Sequence, residues 1–174
     1  MNRVTVIGGG LAGSEAAWQL AQRGVPVVLY EMRPNVQTGA HVSGRLAELV
    51  CSNSLRGISL ENAVGLLKEE MARLDSLIIE AARANAVPAG GALAVDRERF
   101  ADHIEQRITS HPLIELRREE CRRIPSDGIS IVACGPLASA ALAEDLARLC
   151  GPQLHYFDAA SPIVASDSLD RSQL

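Results

Sequence analysis

Residues 3–31 read RVTVIGGGLAGSEAAWQLAQRGVPVVLYE, and this stretch decides the fold. A short apolar run at residues 3–7 predicts a β-strand, and a glycine-rich turn separates it from a predicted helix at residues 11–22. A second apolar run at residues 27–30 predicts another strand. Because both runs are apolar at consecutive positions, we expect strands buried on both faces, as in a parallel sheet covered by helices. The stretch therefore predicts a βαβ unit.

The turn between the first strand and the helix has the G-x-G-x-x-G spacing of dinucleotide-binding βαβ units. We expect Gly8 to allow the tight turn, Gly10 to let a pyrophosphate approach the backbone, and Gly13 to permit close helix–strand packing. The start of the helix would offer free N–H groups to the phosphates. The predicted dinucleotide-binding residues of the turn are Gly8, Gly9, Gly10, Leu11, Ala12 and Gly13.

Glu31 follows the second strand and indicates which dinucleotide is bound. Its carboxylate is expected to accept hydrogen bonds from the adenosine ribose hydroxyls and to repel a 2′-phosphate, which argues against NADP. The early glycine motif, Glu31 and the later run IVACGP at residues 131–136 resemble flavoproteins of the two-dinucleotide type. FAD is therefore the predicted cofactor, although Cys134 stands where threonine is common in those proteins.

The remaining patterns predict an α/β fold class over residues 1–174, namely a Rossmann-like FAD-binding domain with a mostly parallel sheet and helices on both faces. Residues 32–60 lack clean periodicity and are predicted to be a functional or disordered connection. Residues 62–85 carry apolar side chains at spacings of three and four, which predicts one helix packed on the core. Further strands are predicted at residues 92–95, 114–117 and 129–133, and further helices at 97–109, capped by Asp96, and at 138–149.

Composition and the absence of signal motifs argue against a membrane-spanning, a secreted or a metal-binding protein. The chain has 174 residues and a net charge of −4, and its apolar runs are far shorter than the roughly 20 residues of a membrane span. It shows no secretion signal, so we predict a cytoplasmic protein without membrane attachment. The four cysteines have no metal-like spacing, which predicts reduced thiols and no metal site. The negative charge gives no general attraction for nucleic acid, so RNA binding would need a local patch.

The irregular segment at residues 32–60 contains two features that can take part in binding or catalysis, a set of arginines and Cys51. Arg33, Arg45 and Arg56 outnumber the single acid Glu48, so the segment has a local charge of +2. Such a loop can meet a phosphate of FAD or of RNA, or it can be ordinary solvated surface. Cys51 has polar neighbours and a nearby arginine, which favour a nucleophilic thiolate, but the spacing also fits a small buried hydrophobic residue.

Several segments together closely resemble one family. They are LAGSEAAW after the glycines, YEMRP at residues 30–34, LVCSNSL at 49–55, NAVGLLK at 62–68, VPAGGALAVDR at 87–97 and DAASPIV at 158–164. The sequence from Arg3 to about residue 170 is similar to the folate- and FAD-dependent tRNA (uracil-5-)-methyltransferases, the TrmFO family. The GidA-type enzymes that modify tRNA wobble uridines share the glycine motif but are less similar around Cys51.

The resemblance implies methylation of uracil C5 in the T-loop of tRNA, so the T-arm of tRNA is the implied partner. Methylenetetrahydrofolate would supply the carbon, FADH2 the electrons, and NAD(P)H would regenerate FADH2. Cys51 matches a family cysteine, which implies a catalytic role, either in attack on uracil C6 or in a relay. A GidA-like wobble-uridine modifier and a non-catalytic dinucleotide-binding module remain the alternatives, and the oligomeric state is left open.

The resemblance also bears on the completeness of the chain. Members of the family are more than twice as long, and Cys121, Cys134 and Cys150 lie in no context that matches the family's second cysteine. We therefore expect the chain to be an N-terminal fragment that does not methylate tRNA by itself.

Overall fold

The structure is a computed structural model that describes residues 3–151, so the segment at residues 158–164 lies outside the described part. Seven strands and five α-helices occur in this part. The strands are β1 (Val4–Ile7), β2 (Val27–Tyr30), β3 (Ser54–Gly57), β4 (Ala86–Val87), β5 (Ala92–Val95), β6 (Ile114–Arg117) and β7 (Ile129–Val132). The helices are α1 (Leu11–Gln22), α2 (Ala63–Arg73), α3 (Leu77–Ala84), α4 (Arg97–Ser110) and α5 (Ala140–Cys150).

The predicted βαβ unit forms the centre of a four-stranded sheet. The strand order is β6-β2-β1-β7, and all three neighbouring pairs are parallel. Val27, Val28 and Leu29 of β2 are all buried, so this strand is covered on both faces, as its continuous apolar run predicted.

Helices pack on both faces of this sheet, which confirms the predicted architecture. Val4 and Val6 of β1 lie in the large core that includes residues of α1, α3 and α4. Ile7 forms a second, smaller cluster with Leu142 and Leu146 of α5. Because successive side chains of a strand point to opposite faces, the two clusters lie on opposite sides of the sheet.

The prediction of one helix over residues 62–85 is wrong. The helix is broken where Asp75 adopts a left-handed φ of 56°, and Ser76 caps α3 by accepting a hydrogen bond from the Ile79 N–H at 3.2 Å. The apolar stripe does not pack on the core along its whole length either, since Leu67 and Leu74 are 55% and 62% exposed. The core contact comes from α3, whose Leu77, Ile78 and Ile79 side chains are buried.

A second, antiparallel sheet of order β3-β5-β4 was not predicted. Its strand β3 lies inside the segment predicted to be irregular, and it pairs Ser54 with Ala94 of β5. The four parallel strands agree with the predicted mostly parallel sheet, and the small antiparallel sheet is an addition to it.

The later helices follow the predictions with small shifts at their ends. Asp96 caps α4 as predicted, because its carboxylate accepts hydrogen bonds from the N–H groups of Glu98 and Arg99, both at 3.1 Å. A short 3-10 turn at Gly135–Leu137 precedes α5. Within residues 3–151, the helices are all too short or too polar to cross a bilayer.

Gly13 lets α1 lie directly against the end of β1. A Cβ atom at this position would lie 1.7 Å from the Gly8 carbonyl oxygen, which belongs to the backbone and cannot turn away. We expect Gly13→Ala to lower the free energy of unfolding by about 3 kcal/mol, the upper range for overpacking. Urea unfolding of the purified chain measures this change. Gly91→Ala is the control, because a Cβ there meets no atom within 4 Å; equal losses in the two variants would contradict the prediction.

Candidate functional site

A cavity of about 340 Å³ opens at the carboxyl ends of the central strands. Its wall includes Ile7, the last residue of β1, Tyr30, the last residue of β2, and Ala133, which follows β7. The chain leaves β1 toward β2 on one side and returns as β7 on the other. The cavity therefore lies at a topological switch point, the usual ligand-binding crevice of an open α/β sheet.

The glycine-rich turn forms one side of this cavity. Gly8 through Ala12 line it, whereas Gly13 lies behind them as the packing contact with the backbone of Gly8. Gly8 has a φ of 104°, and a Cβ there would lie 2.7 Å from the Cα of Cys134. A Cβ on Gly10 would meet no atom within 4 Å. Gly10 thus leaves open space next to the start of α1, where free N–H groups favour an anion.

Glu31 is an almost fully buried carboxylate at the end of β2, with 4% of its surface exposed. Its Oε2 atom accepts a hydrogen bond from the Gly9 N–H at 3.0 Å, and Arg33 donates through its backbone N–H, Nε and Nη2 at 2.9 to 3.0 Å. Burial raises the pKa of Glu31, but the hydrogen bonds from Arg33 outweigh it and hold that pKa below its ordinary value. Glu31 is therefore ionised at neutral pH.

Arg33 joins Glu31 to a second carboxylate, Glu48. The Arg33 side chain is 3% exposed, and its Nη1 atom lies 3.0 Å from Glu48 Oε2. Glu48 also accepts hydrogen bonds from the N–H groups of Val42 and Ser43 and from the Ser43 hydroxyl. This network was not predicted, and the only sign of it in the sequence is the opposite charges of Arg33 and Glu48 in one irregular segment.

The predicted local charge of +2 does not form an open basic patch. Arg33 is buried between two carboxylates, and Arg45 pairs with Asp102 of α4 at 2.6 Å and with Glu98 at 3.8 Å. Arg56 is exposed, with a left-handed φ of 68°, and the side chain of Arg45 is 37% exposed. The three arginines therefore do not form a joint phosphate-binding patch, because Glu31 and Glu48 neutralise Arg33 and acids of α4 neutralise Arg45.

Cys51 is exposed, which excludes the interpretation that it is a small buried hydrophobic residue. It follows Val50, which lines the cavity, and it lies three residues after Glu48. Cys121 and Cys134 line the cavity itself and are partly buried. Burial raises the pKa of both thiols, so they are protonated at neutral pH.

The sequence of the chain matches one family model and is similar to named proteins. A family model described as "Glucose inhibited division protein A" matches residues 3–174. The methylenetetrahydrofolate–tRNA-(uracil-5-)-methyltransferase TrmFO of Citrifermentans bemidjiense is 64% identical over 167 residues, which cover 96% of this chain and 38% of that protein. The protein of the same name from Geobacter sp. strain M21 is 62% identical over 168 residues, 97% of this chain and 39% of that protein.

Among solved structures, GidA of Aquifex aeolicus has a similar fold, with a TM-score of 0.57. It is 19% identical, and the match covers 73% of this chain and 21% of that chain. The resemblance to TrmFO predicted from the sequence is confirmed by the two methyltransferase matches. The chain spans less than two fifths of the length of these two relatives.

Proposed function

The chain belongs to the glucose inhibited division protein A (GidA) family, and from this premise we propose that it binds FAD in the cavity at the carboxyl ends of β1, β2 and β7. The observation that carries the proposal is the meeting of the glycine turn and Glu31 at one crevice. Gly10 leaves room for a pyrophosphate at the start of α1, and Glu31 lies at the end of the neighbouring strand. These are the two recognition elements of an adenine dinucleotide.

The charge around Glu31 favours a dinucleotide without a 2′-phosphate. Glu31 and Glu48 carry two negative charges, and Arg33 carries one positive charge between them. The three side chains together therefore carry a net charge of −1 at neutral pH. A 2′-phosphate placed beside it would be repelled strongly, because burial weakens the screening by solvent.

We further propose that methylation of uracil C5 in the T-loop of tRNA is the activity of the full-length protein, meaning a protein of the relatives' length that contains this chain. The proposal is supported by identities of 64% and 62% to proteins named as methylenetetrahydrofolate–tRNA-(uracil-5-)-methyltransferases. Methylenetetrahydrofolate supplies the one-carbon unit, bound FADH2 supplies electrons, and NAD(P)H is the reductant. Because the substrate is a tRNA, the activity belongs in the cytoplasm.

Cys51 is the residue of this chain that we propose takes part in the methylation reaction. Its side chain is exposed beside the cavity residue Val50, so a polynucleotide can reach it. Uracil C5 is a poor nucleophile until a thiolate adds to C6 and places negative charge on the ring. An accessible cysteine next to the flavin site suits that attack or a relay of the one-carbon unit.

FAD binding is tested directly by titrating the chain with FAD and following flavin fluorescence. We expect one bound FAD per chain, displaced by ADP but not by 2′-phospho-ADP at the same concentration. Glu31→Gln keeps the size of the side chain and removes its charge, so the variant should discriminate less between the two competitors. Absence of flavin binding, or equal displacement by both competitors in the unmodified chain, would refute the proposal.

The methylation activity is tested with the full-length protein, tRNA lacking T-loop methylation, and methylenetetrahydrofolate. We expect one methyl group on the T-loop uridine, located by mass spectrometry of nuclease fragments. Modification of a wobble uridine instead would favour a GidA-like modifier, and flavin binding without any tRNA modification would favour a non-catalytic module. Either result would refute the methyltransferase proposal while leaving the FAD proposal in place.

A further inference from the structure

The buried carboxylate of Glu31 has no acceptor position left for a ligand. Its Oε1 atom accepts hydrogen bonds from the Arg33 backbone N–H and from Arg33 Nε, both at 2.9 Å. Its Oε2 atom accepts from the Gly9 N–H and from Arg33 Nη2, both at 3.0 Å. An ionised carboxylate offers about four lone-pair sites, and these four donors fill them. A ribose hydroxyl can therefore bond to Glu31 only when one donor leaves.

We propose that Arg33 is a positioning residue that couples dinucleotide binding at Glu31 to the conformation of residues 42–51 (the 42–51 loop), which carry Cys51. The inference rests on the proposed binding of FAD. Two of the four donors to Glu31, the N–H groups of Gly9 and Arg33, belong to the main chain. The guanidinium of Arg33 is the donor that can move by side-chain rotation, so it is the group that the ribose displaces.

The guanidinium of Arg33 also contacts Glu48, a loop residue whose carboxylate binds the backbone of the 42–51 loop. Arg33 Nη1 lies 3.0 Å from Glu48 Oε2, and the two side chains are 3% and 11% exposed. A buried guanidinium cannot be left without a partner, so it stays with Glu48 when it turns away from Glu31. Glu48 binds the N–H groups of Val42 and Ser43 at 2.9 and 3.2 Å. A shift of Arg33 is thus transmitted to the backbone of the loop.

Several other attachments hold the loop without the side chain of Arg33. Arg45 pairs with Asp102 and Glu98 of α4, and the Gly44 carbonyl accepts a hydrogen bond from Arg118.

Two further attachments are made by backbone N–H groups of the loop. Glu105 of α4 accepts a hydrogen bond from the Leu46 N–H at 3.1 Å, and the Ala47 N–H donates to the Gly9 carbonyl at 2.8 Å. Neither involves the side chain of Arg33 or Glu31. Glu105→Ala removes the acceptor of the Leu46 N–H and so perturbs the same loop without breaking the path from Glu31. Glu48→Ala removes the acceptor that Arg33 and Ser43 share, so it breaks that path and leaves the other attachments in place.

The test measures the rate at which iodoacetamide alkylates Cys51 in the chain, followed by peptide mass spectrometry, with and without saturating FAD or ADP. We expect both nucleotides to change the rate by about fivefold or more, the lower end of typical coupling between sites. The effect should disappear in Glu48→Ala and persist in Glu105→Ala. ADP is included because it fills the adenosine part of the site and lacks the flavin, which could shield Cys51 directly.

Arg33→Lys is the second test variant and keeps the buried positive charge. A lysine ammonium lacks the planar fork that contacts two carboxylates at once, so this variant should also lose the nucleotide effect. Retention of the effect in Glu48→Ala or Arg33→Lys would overturn the proposal, as would unchanged Cys51 reactivity in an unmodified chain that has bound FAD. Failure of the chain to bind FAD would instead refute the proposed function, and the fluorescence titration distinguishes the two cases.

Discussion

Gly10→Val is expected to weaken FAD binding so far that the protein purifies without flavin, while the chain still folds. The φ of Gly10 is −72°, which valine adopts readily, and a Cβ there meets no atom within 4 Å. The valine methyl groups would occupy the space through which a pyrophosphate reaches the N–H groups at the start of α1. Loss of two hydrogen bonds to charged phosphate, each contributing about 1.5 to 3 kcal/mol, weakens FAD binding roughly 1000-fold.

The measurement pairs flavin fluorescence titration with urea unfolding of the same protein. We expect the free energy of unfolding to change by less than about 1 kcal/mol, as for a substitution without a steric clash. Gly91→Val is the matched control, because Gly91 is equally unobstructed and does not line the cavity. A Gly10→Val protein that purifies yellow, with flavin bound, would contradict the assignment of the pyrophosphate site.

The central βαβ unit was predictable because its signals are local. Continuous apolar runs specify the two strands, and Gly8, Gly10 and Gly13 mark a turn whose steric requirements the structure reproduces. Asp96 was predictable as a helix cap for the same reason, since its partners are only two and three residues away. Each of these features depends on neighbouring residues and not on the path of a distant segment.

The partners of Glu31 were not predictable because they depend on the path of an irregular loop. Arg33 is two residues from Glu31, but nothing in the local pattern shows that its side chain is buried. Glu48 reaches it across 15 residues without regular periodicity. Strand β3 was missed for a similar reason, since Ser54 pairs with Ala94, forty residues further along the chain.

The break between α2 and α3 shows a different limit. The apolar spacing continues through Leu74, so periodicity alone predicted one helix. Ser76 was the available signal for a new helix start, because its hydroxyl is suited to capping. Periodicity also shows only which face of a helix is apolar, not what packs against it. Leu67 and Leu74 therefore fit the pattern and yet are exposed in the part of the chain that the structure describes.

Cys51→Ala in the full-length protein is expected to reduce tRNA methylation at least about 1000-fold, because removal of a reacting nucleophile eliminates a complete step of the reaction. FAD binding should remain within about twofold of the unmodified protein, and the free energy of unfolding within about 0.5 kcal/mol, as for exposed positions. These expectations follow from the position of Cys51, which is exposed and lies outside the cavity wall that Val50 helps to form.

Methyl transfer to tRNA, flavin fluorescence and urea unfolding are measured on the same preparations of the Cys51→Ala protein. Cys150→Ala is the matched control, because Cys150 is also exposed but lies at the end of α5, away from the cavity wall. It should methylate normally. Normal turnover by Cys51→Ala would remove Cys51 from the reaction, and joint loss of flavin binding and methylation would assign it a structural role. Loss of methylation alone, with flavin bound and the fold intact, is the result that a reacting thiol requires.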